Sequence, residues 1–83
     1  MGNSLIGFRK EEDMQNINLT DREKDVLVGL VKGWTNKEIA TTLNVTHHTI
    51  KAHISAILHK FGTKNRTEAA LFAMNNKIIH PQD

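Results

Sequence analysis

Apolar residues recur at helical spacing in four stretches of the chain. The first stretch, "LTDREKDVLVGLVKG", carries an apolar stripe whose members lie close to one helical turn apart, Val26, Leu27, Leu30 and Val31. Thr20 stands before this stripe and Glu23 follows three residues later, which is the Thr-x-x-Glu pattern of a capping box. Gly33 occupies the position where a left-handed helix end is expected. These signals predict a first helix between Thr20 and Gly33.

Two further helical stretches follow, with a turn of about three residues between them. The stretch "TNKEIATTLN" predicts a short second helix, which Thr35 or Asn36 caps and Asn44 ends. The stretch "VTHHTIKAHISAILHKFG" predicts a third helix, about 47–61, that ends at Gly62. Its inward face is expected to hold Ile50, Ile54, Ile57, Leu58 and Phe61. The short turn is typical of a helix-turn-helix, although αα-hairpins have short turns too.

The fourth stretch, "KNRTEAALFAMNNK", predicts a helix over about 66–76, with Asn65 and Glu68 as a capping pair. Small side chains recur along it at Ala69, Ala70 and Ala73. They suit either packing on the first helix or a symmetric contact between two copies. The whole pattern predicts an all-α, four-helix domain over 19–80, preceded by a flexible tail or linker at 1–18.

Composition narrows the classes of function. The chain has 83 residues and no cysteine, which indicates one small domain without disulfides or thiolate metal sites. Its histidines lack the four-residue spacing of a helical metal site, so we expect no metal and no cofactor. No apolar run approaches the ~18 residues of a membrane span, so no membrane partner is expected. There is no glycine-rich phosphate loop and no nucleophile paired with a base, which argues against an enzyme.

The charges are distributed unevenly along the chain. Residues 36–80 hold six Lys and Arg against two Asp and Glu, whereas residues 1–35 hold five against six. Between Glu38 and Glu68 there is no acidic residue, while four histidines lie among the basic ones. A stretch of one sign indicates a polyanionic partner, and the plain alternative is an ordinary solvated face.

The outer face of the predicted third helix is where this asymmetry is most evident. This face is expected to hold His48, Lys51, Ala52, Ser55 and His59. In a major groove, Lys51 could donate to guanine O6 or N7, Ala52 allows a close approach, and Ser55 can donate or accept. By contrast, His53 lies beside the inward face and is expected to pack and hydrogen-bond there. His47 is expected to be solvated surface, as is His48, with a phosphate contact as the second interpretation of each.

Three segments of the chain resemble the C-terminal DNA-binding domain of the LuxR/GerE/NarL family. They are "LTDREKDVL", "GWTNKEIATTLNVTHHTIKAHISAILHKF" and "KNRTEAA", and the match covers roughly residues 19 to 79. The resemblance implies that the third helix reads the DNA major groove and that the fourth mediates dimerisation. It places Lys51, Ala52 and Ser55 at base-facing positions. Near the DNA backbone it places Lys37, Thr46, Thr49, Lys60, Lys64 and Arg66. One departure is Lys77, which stands where the family usually has a late Gly.

The resemblance also implies the partners. We expect a bacterial transcription regulator in the cytoplasm, associated with the nucleoid, that binds an inverted repeat of double-stranded DNA as a homodimer. Its dimer interface would involve Ala69, Ala70 and Ala73, and RNA polymerase is a further expected partner. No receiver or ligand-binding domain precedes the match, so we expect either a fragment or a stand-alone regulator of the GerE type. The alternative is a protein-interaction module that pairs with another regulator and has no DNA specificity of its own.

Overall fold

Four α-helices form the part of the chain that the computed structural model describes, residues 17–79. They are α1, Asp21–Val31; α2, Asn36–Leu43; α3, His47–Phe61; and α4, Arg66–Asn75. This stretch contains no strand, so the all-α, four-helix prediction is confirmed. Most of the predicted tail, 1–16, lies outside the described residues, as does His80 at the predicted end of the domain.

The first two helices begin with the same hydrogen-bond pattern. At α1, the hydroxyl of Thr20 accepts from the amide of Glu23 at 3.1 Å, and the Glu23 carboxylate accepts from the amide of Thr20 at 3.0 Å. At α2, Thr35 and Glu38 make the same two bonds at 3.1 and 2.7 Å. Two reciprocal capping boxes therefore fix the starts of α1 and α2, and the cap of α2 is Thr35 rather than Asn36.

The other two helices begin with a single side-chain cap. Thr46 accepts from the amide of Thr49 at 3.1 Å, and Asn65 accepts from the amide of Glu68 at 2.9 Å. The Glu68 carboxylate bonds the amide of Lys64 at 2.8 Å. The reciprocal bond of the predicted Asn65–Glu68 pair is therefore displaced by one residue toward the N-terminus.

Left-handed residues separate the helices. Gly33, Asn44 and Gly62 have φ of 79°, 58° and 69°, which agrees with the predicted helix ends. Lys77 also has a positive φ, of 57°, just after α4. Lys77 stands where the resembled family usually has a Gly, and the left-handed conformation is kept there. A lysine in this conformation costs roughly 1–2 kcal/mol that a glycine would avoid.

One core lies between the helices. α1 packs against α2, α3 and α4, and α3 also packs against α2 and α4. The core residues that are buried are Leu19, Val26, Leu27, Leu30, Ile39, Ala40, Ile50, Ile57, Phe61, Ala69, Ala73 and Ile79. Ile17 packs against this core from before α1. Ile17 therefore belongs with the packed domain, although the sequence pattern assigned it to the tail.

The alanines of α4 belong to this core. Ala69 and Ala73 are fully buried and Ala70 is 9% exposed, because their small side chains let α4 pack closely on its neighbours. They present almost no surface that a second copy could contact. The assignment of Ala69, Ala70 and Ala73 to a dimer interface is therefore corrected, in favour of packing within the chain.

A close approach between α1 and α2 requires a glycine inside α1. A Cβ atom built at Gly29 would lie 2.6 Å from Cγ1 of Ile39 and 2.8 Å from its Cδ1. Ile39 is 1% exposed, so it has little room to move away. Gly29 therefore sets the distance at which α2 packs on α1.

We expect Gly29→Ala to destabilise the domain although alanine favours the helix by about 1 kcal/mol. The clash with Ile39 should cost about 1–3 kcal/mol, which outweighs that gain. Urea unfolding followed by circular dichroism measures the difference. In the Ile39→Ala background the same substitution should be neutral or stabilising. Equal destabilisation in both backgrounds would contradict the close-approach explanation.

Candidate nucleic-acid interface

The third helix presents a polar face that is free of acids. His48, Lys51, Ala52, Ser55 and His59 are all exposed, as the sequence pattern predicts. On the opposite side, Ile50, Ile57 and Phe61 are buried in the core. The helix has 15 residues, a length of about 22 Å at 1.5 Å per residue. It therefore offers a surface of the size that enters a DNA major groove.

The turn before α3 holds it against α2. Asn44 adopts the left-handed conformation, and the amide of Val45 donates to the carbonyl of Ala40 at 3.0 Å. The half-buried Val45 side chain packs on the core at the junction. Because α2 also packs along α3, the pair has the contacts of a helix-turn-helix, with the outer face of α3 turned away from the core.

Four of the six residues predicted near the DNA backbone make no long-range side-chain hydrogen bond or ion pair within residues 17–79. Lys37, Thr46 and Lys64 are exposed and Thr49 is half-buried. The hydroxyls of Thr46 and Thr49 lie 3.1 Å apart at the start of α3. These four positions remain predicted phosphate ligands.

Lys60 makes contacts within the domain. Its Nζ donates to the carboxylate of Glu23 at 2.6 Å and to the carbonyl of Asn18 at 2.8 Å, and its side chain is 31% exposed. The ammonium therefore joins the end of α3 to the start of α1. The sequence pattern did not indicate this internal contact, and the phosphate contact of Lys60 stays a prediction.

Arg66 is also held inside the domain. At the start of α4, its guanidinium donates to the Asn36 side chain and to the carbonyl of Trp34. No helix packing joins α2 and α4 within residues 17–79. Arg66 therefore provides the polar link between the starts of these two helices, a role that the sequence pattern did not indicate.

The buried carboxylate of Glu23 is stabilised in its charged form. Burial raises the pKa of Glu23, but the hydrogen bonds from Lys60 and the Thr20 amide and the nearby charges of Lys60 and His53 outweigh it. The net effect is a pKa below the ordinary value of 4.5. His53 is half-buried beside this pair, as expected from its position next to the inward face. Arg22 pairs with Asp25 at 3.5 Å, on the exposed side of α1.

Two other features of residues 17–79 bear on the class of protein. No group of three or more His, Cys, Asp or Glu in this stretch is arranged to hold a metal ion. In the same part of the chain, every helix is too short or too polar to cross a membrane.

Comparisons with known proteins agree with this geometry. The family model described as bacterial regulatory proteins, luxR family, matches residues 17–73. A probable transcriptional regulator, ycf29 of Pyropia yezoensis, is 42% identical over 91 aligned positions, which cover 94% of this chain and 41% of that protein. The response regulator protein VraR of Staphylococcus aureus is 39% identical over 61 residues, which cover 74% of this chain and 29% of VraR. The chain thus spans less than half the length of these relatives.

A solved structure shows the same fold. The crystal structure of the phage VqmA–DPO complex superposes with a TM-score of 0.73 at 31% identity, over 96% of this chain and 40% of that one. The fold and the outer face of α3 define a helix-turn-helix domain of the DNA-binding, transcription-regulating class. The chain belongs to the LuxR family of bacterial regulatory proteins. The resemblance seen in the sequence is confirmed.

The pair formed by Glu23 and Lys60 predicts a pH-dependent contribution to stability. Because the pKa of Glu23 is lowered in the folded chain, its contribution is present above the ordinary value of 4.5 and is lost as pH falls through the folded pKa. Glu23→Gln should cost about 1–3 kcal/mol at pH 7, where it removes a charge-assisted hydrogen bond. The difference from the wild type should shrink below pH 4.

Urea unfolding at pH 7, 5, 4 and 3 measures this dependence. Asp25→Asn is the control, since it removes a carboxylate from the exposed pair with Arg22 and should change stability by less than about 1 kcal/mol. A Glu23→Gln effect that stays constant from pH 7 to pH 3 would contradict the role of the charge.

Proposed function

We propose that this chain binds double-stranded DNA sequence-specifically, with α3 in the major groove. One observation carries this proposal: α3 exposes Lys51, Ala52 and Ser55 on one acid-free face, while its other face is fixed in the core. Lysine donates to guanine O6 and N7, a small apolar side chain allows close approach, and a serine hydroxyl donates or accepts. Each of the three side chains is thus compatible with contacts to base edges.

The residues around this face are suited to contacts with the phosphates of the DNA backbone. Lys37 and Lys64 are exposed cations on α2 and before α4, and Thr46 and Thr49 supply hydroxyls at the start of α3. Contacts of this kind to phosphate fix the register of a helix in the groove, while contacts to bases specify the sequence. The four residues are the proposed backbone ligands.

The fourth helix is the proposed dimerisation element. Its exposed apolar residue is Leu71, 49% exposed, and the half-buried Met74 follows three residues later on the same helix. A two-fold contact through this stripe would place two copies of α3 on an inverted repeat, with half-sites about 10 base pairs apart. The stripe replaces the buried alanines as the proposed interface.

The remaining assignments follow from this function. In this proposal, the protein is a transcription regulator without enzymatic activity that is located in the bacterial cytoplasm and associated with the nucleoid. RNA polymerase is a further partner. The exposed Leu71 also favours the alternative function, a module that pairs with another regulator without DNA specificity of its own.

Selection from a random duplex library tests the function, with the bound DNA sequenced at near-physiological salt. We expect an enriched inverted repeat for the wild type. Lys51→Ala should lose about 1–3 kcal/mol of binding free energy and relax the preference at one position of each half-site. Lys37→Ala should weaken binding to all DNA sequences alike. It should also lower the slope of log binding constant against log salt concentration by about one.

Two results of this selection would count against DNA readout by α3. If the Lys51→Ala variant selects the same sequences as the wild type and binds them with the same affinity, α3 does not read bases through Lys51. Tight self-association of the wild type without any retained DNA would favour the interaction module.

Dimerisation through α4 predicts the effect of a charge at its apolar stripe. Leu71→Glu should reduce the affinity for the inverted repeat to that for a single half-site, because each copy would then bind alone. Leu71→Met keeps an apolar side chain and is the control. Light scattering of the DNA complex gives the stoichiometry. Two copies of Leu71→Glu bound with wild-type affinity would contradict this interface.

A further inference from the structure

A shallow groove lies beside the outer face of α3, where three helices meet. It is lined by Asn36 at the start of α2, by Lys51, Ile54 and Ser55 of α3, and by Asn65 and Arg66 at the start of α4. Five of these residues are polar or basic and none is acidic. Two of them, Lys51 and Ser55, are also proposed to face the bases. The groove is therefore continuous with the surface proposed to contact DNA.

Hydrogen bonds within the domain occupy the carboxamide oxygens of both asparagines. The Asn36 oxygen accepts from the guanidinium of Arg66, and the Asn65 oxygen accepts from the amide of Glu68 at 2.9 Å. Both partners are donors, so the atom that meets them must be Oδ1 rather than Nδ2. Within residues 17–79, each asparagine therefore retains its NH₂ group, which can only donate, for other partners.

The other polar side chains of the groove add donors. A guanidinium has five N–H groups, and within residues 17–79 Arg66 uses two of them on Asn36 and Trp34. Lys51 adds an ammonium group and Ser55 a hydroxyl, both exposed. The side-chain acceptors of the asparagines are occupied and the donors remain, so the groove has the polarity of an anion-binding site.

The nearby carboxylates do not oppose this polarity. Glu38 and Glu68 stand in the first turns of α2 and α4. Glu38 accepts from the amide of Thr35 at 2.7 Å, and Glu68 accepts from the amide of Lys64 at 2.8 Å. Neither lines the groove. Each is held by a backbone amide at its own helix start and leaves the groove without a negative group.

We propose that this groove binds one phosphate of the DNA backbone, with Asn36, Asn65 and Arg66 as its donors. The inference rests on the proposed DNA binding and extends it to residues outside the helix-turn-helix face. Phosphodiester oxygens accept only, so they match the N–H donors that these side chains offer. The hydrogen bond from Arg66 orients the side chain of Asn36. Through Arg66, its first residue, α4 therefore contributes to the surface that contacts DNA, in addition to its proposed role in dimerisation.

The substitution Asn65→Asp tests phosphate binding by Asn65 separately from its contribution to folding. Aspartate caps a helix as well as asparagine does, so Asn65→Asp should keep the bond to the Glu68 amide and unfold at the same urea concentration or a higher one. The change replaces the NH₂ donors with a negative oxygen in the groove. We expect the affinity for the selected duplex to fall at least about tenfold and the salt slope to fall by about one.

Two matched variants accompany this measurement. Asn36→Asp also keeps an acceptor for Arg66 and should lose affinity in the same way. Asn18→Asp makes the same charge change at an exposed residue beside Lys60, on the α1 side of α3. Its affinity should fall less than about threefold, because Asn18 does not line the groove and salt screens an exposed charge.

Duplexes with a single neutral methylphosphonate locate the phosphate. For the wild type, a methylphosphonate at one position in each half-site should lower the affinity. This position should lie close to the bases selected through Lys51. Asn65→Asp should be insensitive at that same position. This loss of sensitivity would assign the phosphate to the groove.

The outcomes distinguish the groove from the function it rests on. If the wild type selects DNA and Asn65→Asp binds like Asn18→Asp, the groove holds no phosphate, and the proposed DNA binding stands. If Asn65→Asp loses affinity but keeps full sensitivity at every methylphosphonate position, the groove proposal is also wrong. If the wild type binds no DNA at any salt concentration, both proposals fail together.

Discussion

Burial of Ile50, Ile57 and Phe61 fixes the rotation of α3 about its own axis, and the proposed DNA surface depends on that rotation. Successive side chains of a helix are turned by about 100°, so a helix held in the core at these positions must present Lys51, Ala52 and Ser55 to solvent. Their position follows from apolar packing and requires no interaction among the polar residues themselves.

Polar contacts at the ends of the helices complete this arrangement. Lys60 joins the C-terminal end of α3 to Glu23 of α1, and Arg66 joins the start of α4 to the start of α2. A buried carboxylate with a charged partner is costly to leave unpaired, so the pair between Glu23 and Lys60 penalises any displacement of the end of α3. The two basic residues thus stabilise the scaffold, and Arg66 also lines the groove proposed to bind a phosphate.

Much of this fold could be predicted from the sequence because its signals are local. The caps Thr20 and Thr46 and the left-handed residues Gly33, Asn44 and Gly62 act within a few positions of the chain, and the apolar period of α3 gave its outer face correctly. Contacts between distant residues could not be predicted in this way. Lys60 and Glu23 are 37 positions apart, and Arg66 and Asn36 are 30 apart, so no local pattern in the sequence indicates either contact. The alanines of α4 suited both a core and an interface, and only their burial decided between them.

The central claim is that α3 reads base edges in the major groove, and replacing purines by their 7-deaza analogues tests it most directly. These analogues remove the N7 acceptor from the major groove and leave the minor groove unchanged. For the duplex selected by the wild type, the analogue at one position of each half-site should lower affinity about tenfold or more, and Lys51→Ala should be insensitive there. Full affinity for a duplex that carries the analogue at every purine, combined with a loss when guanine's minor-groove amino group is removed, would contradict the account.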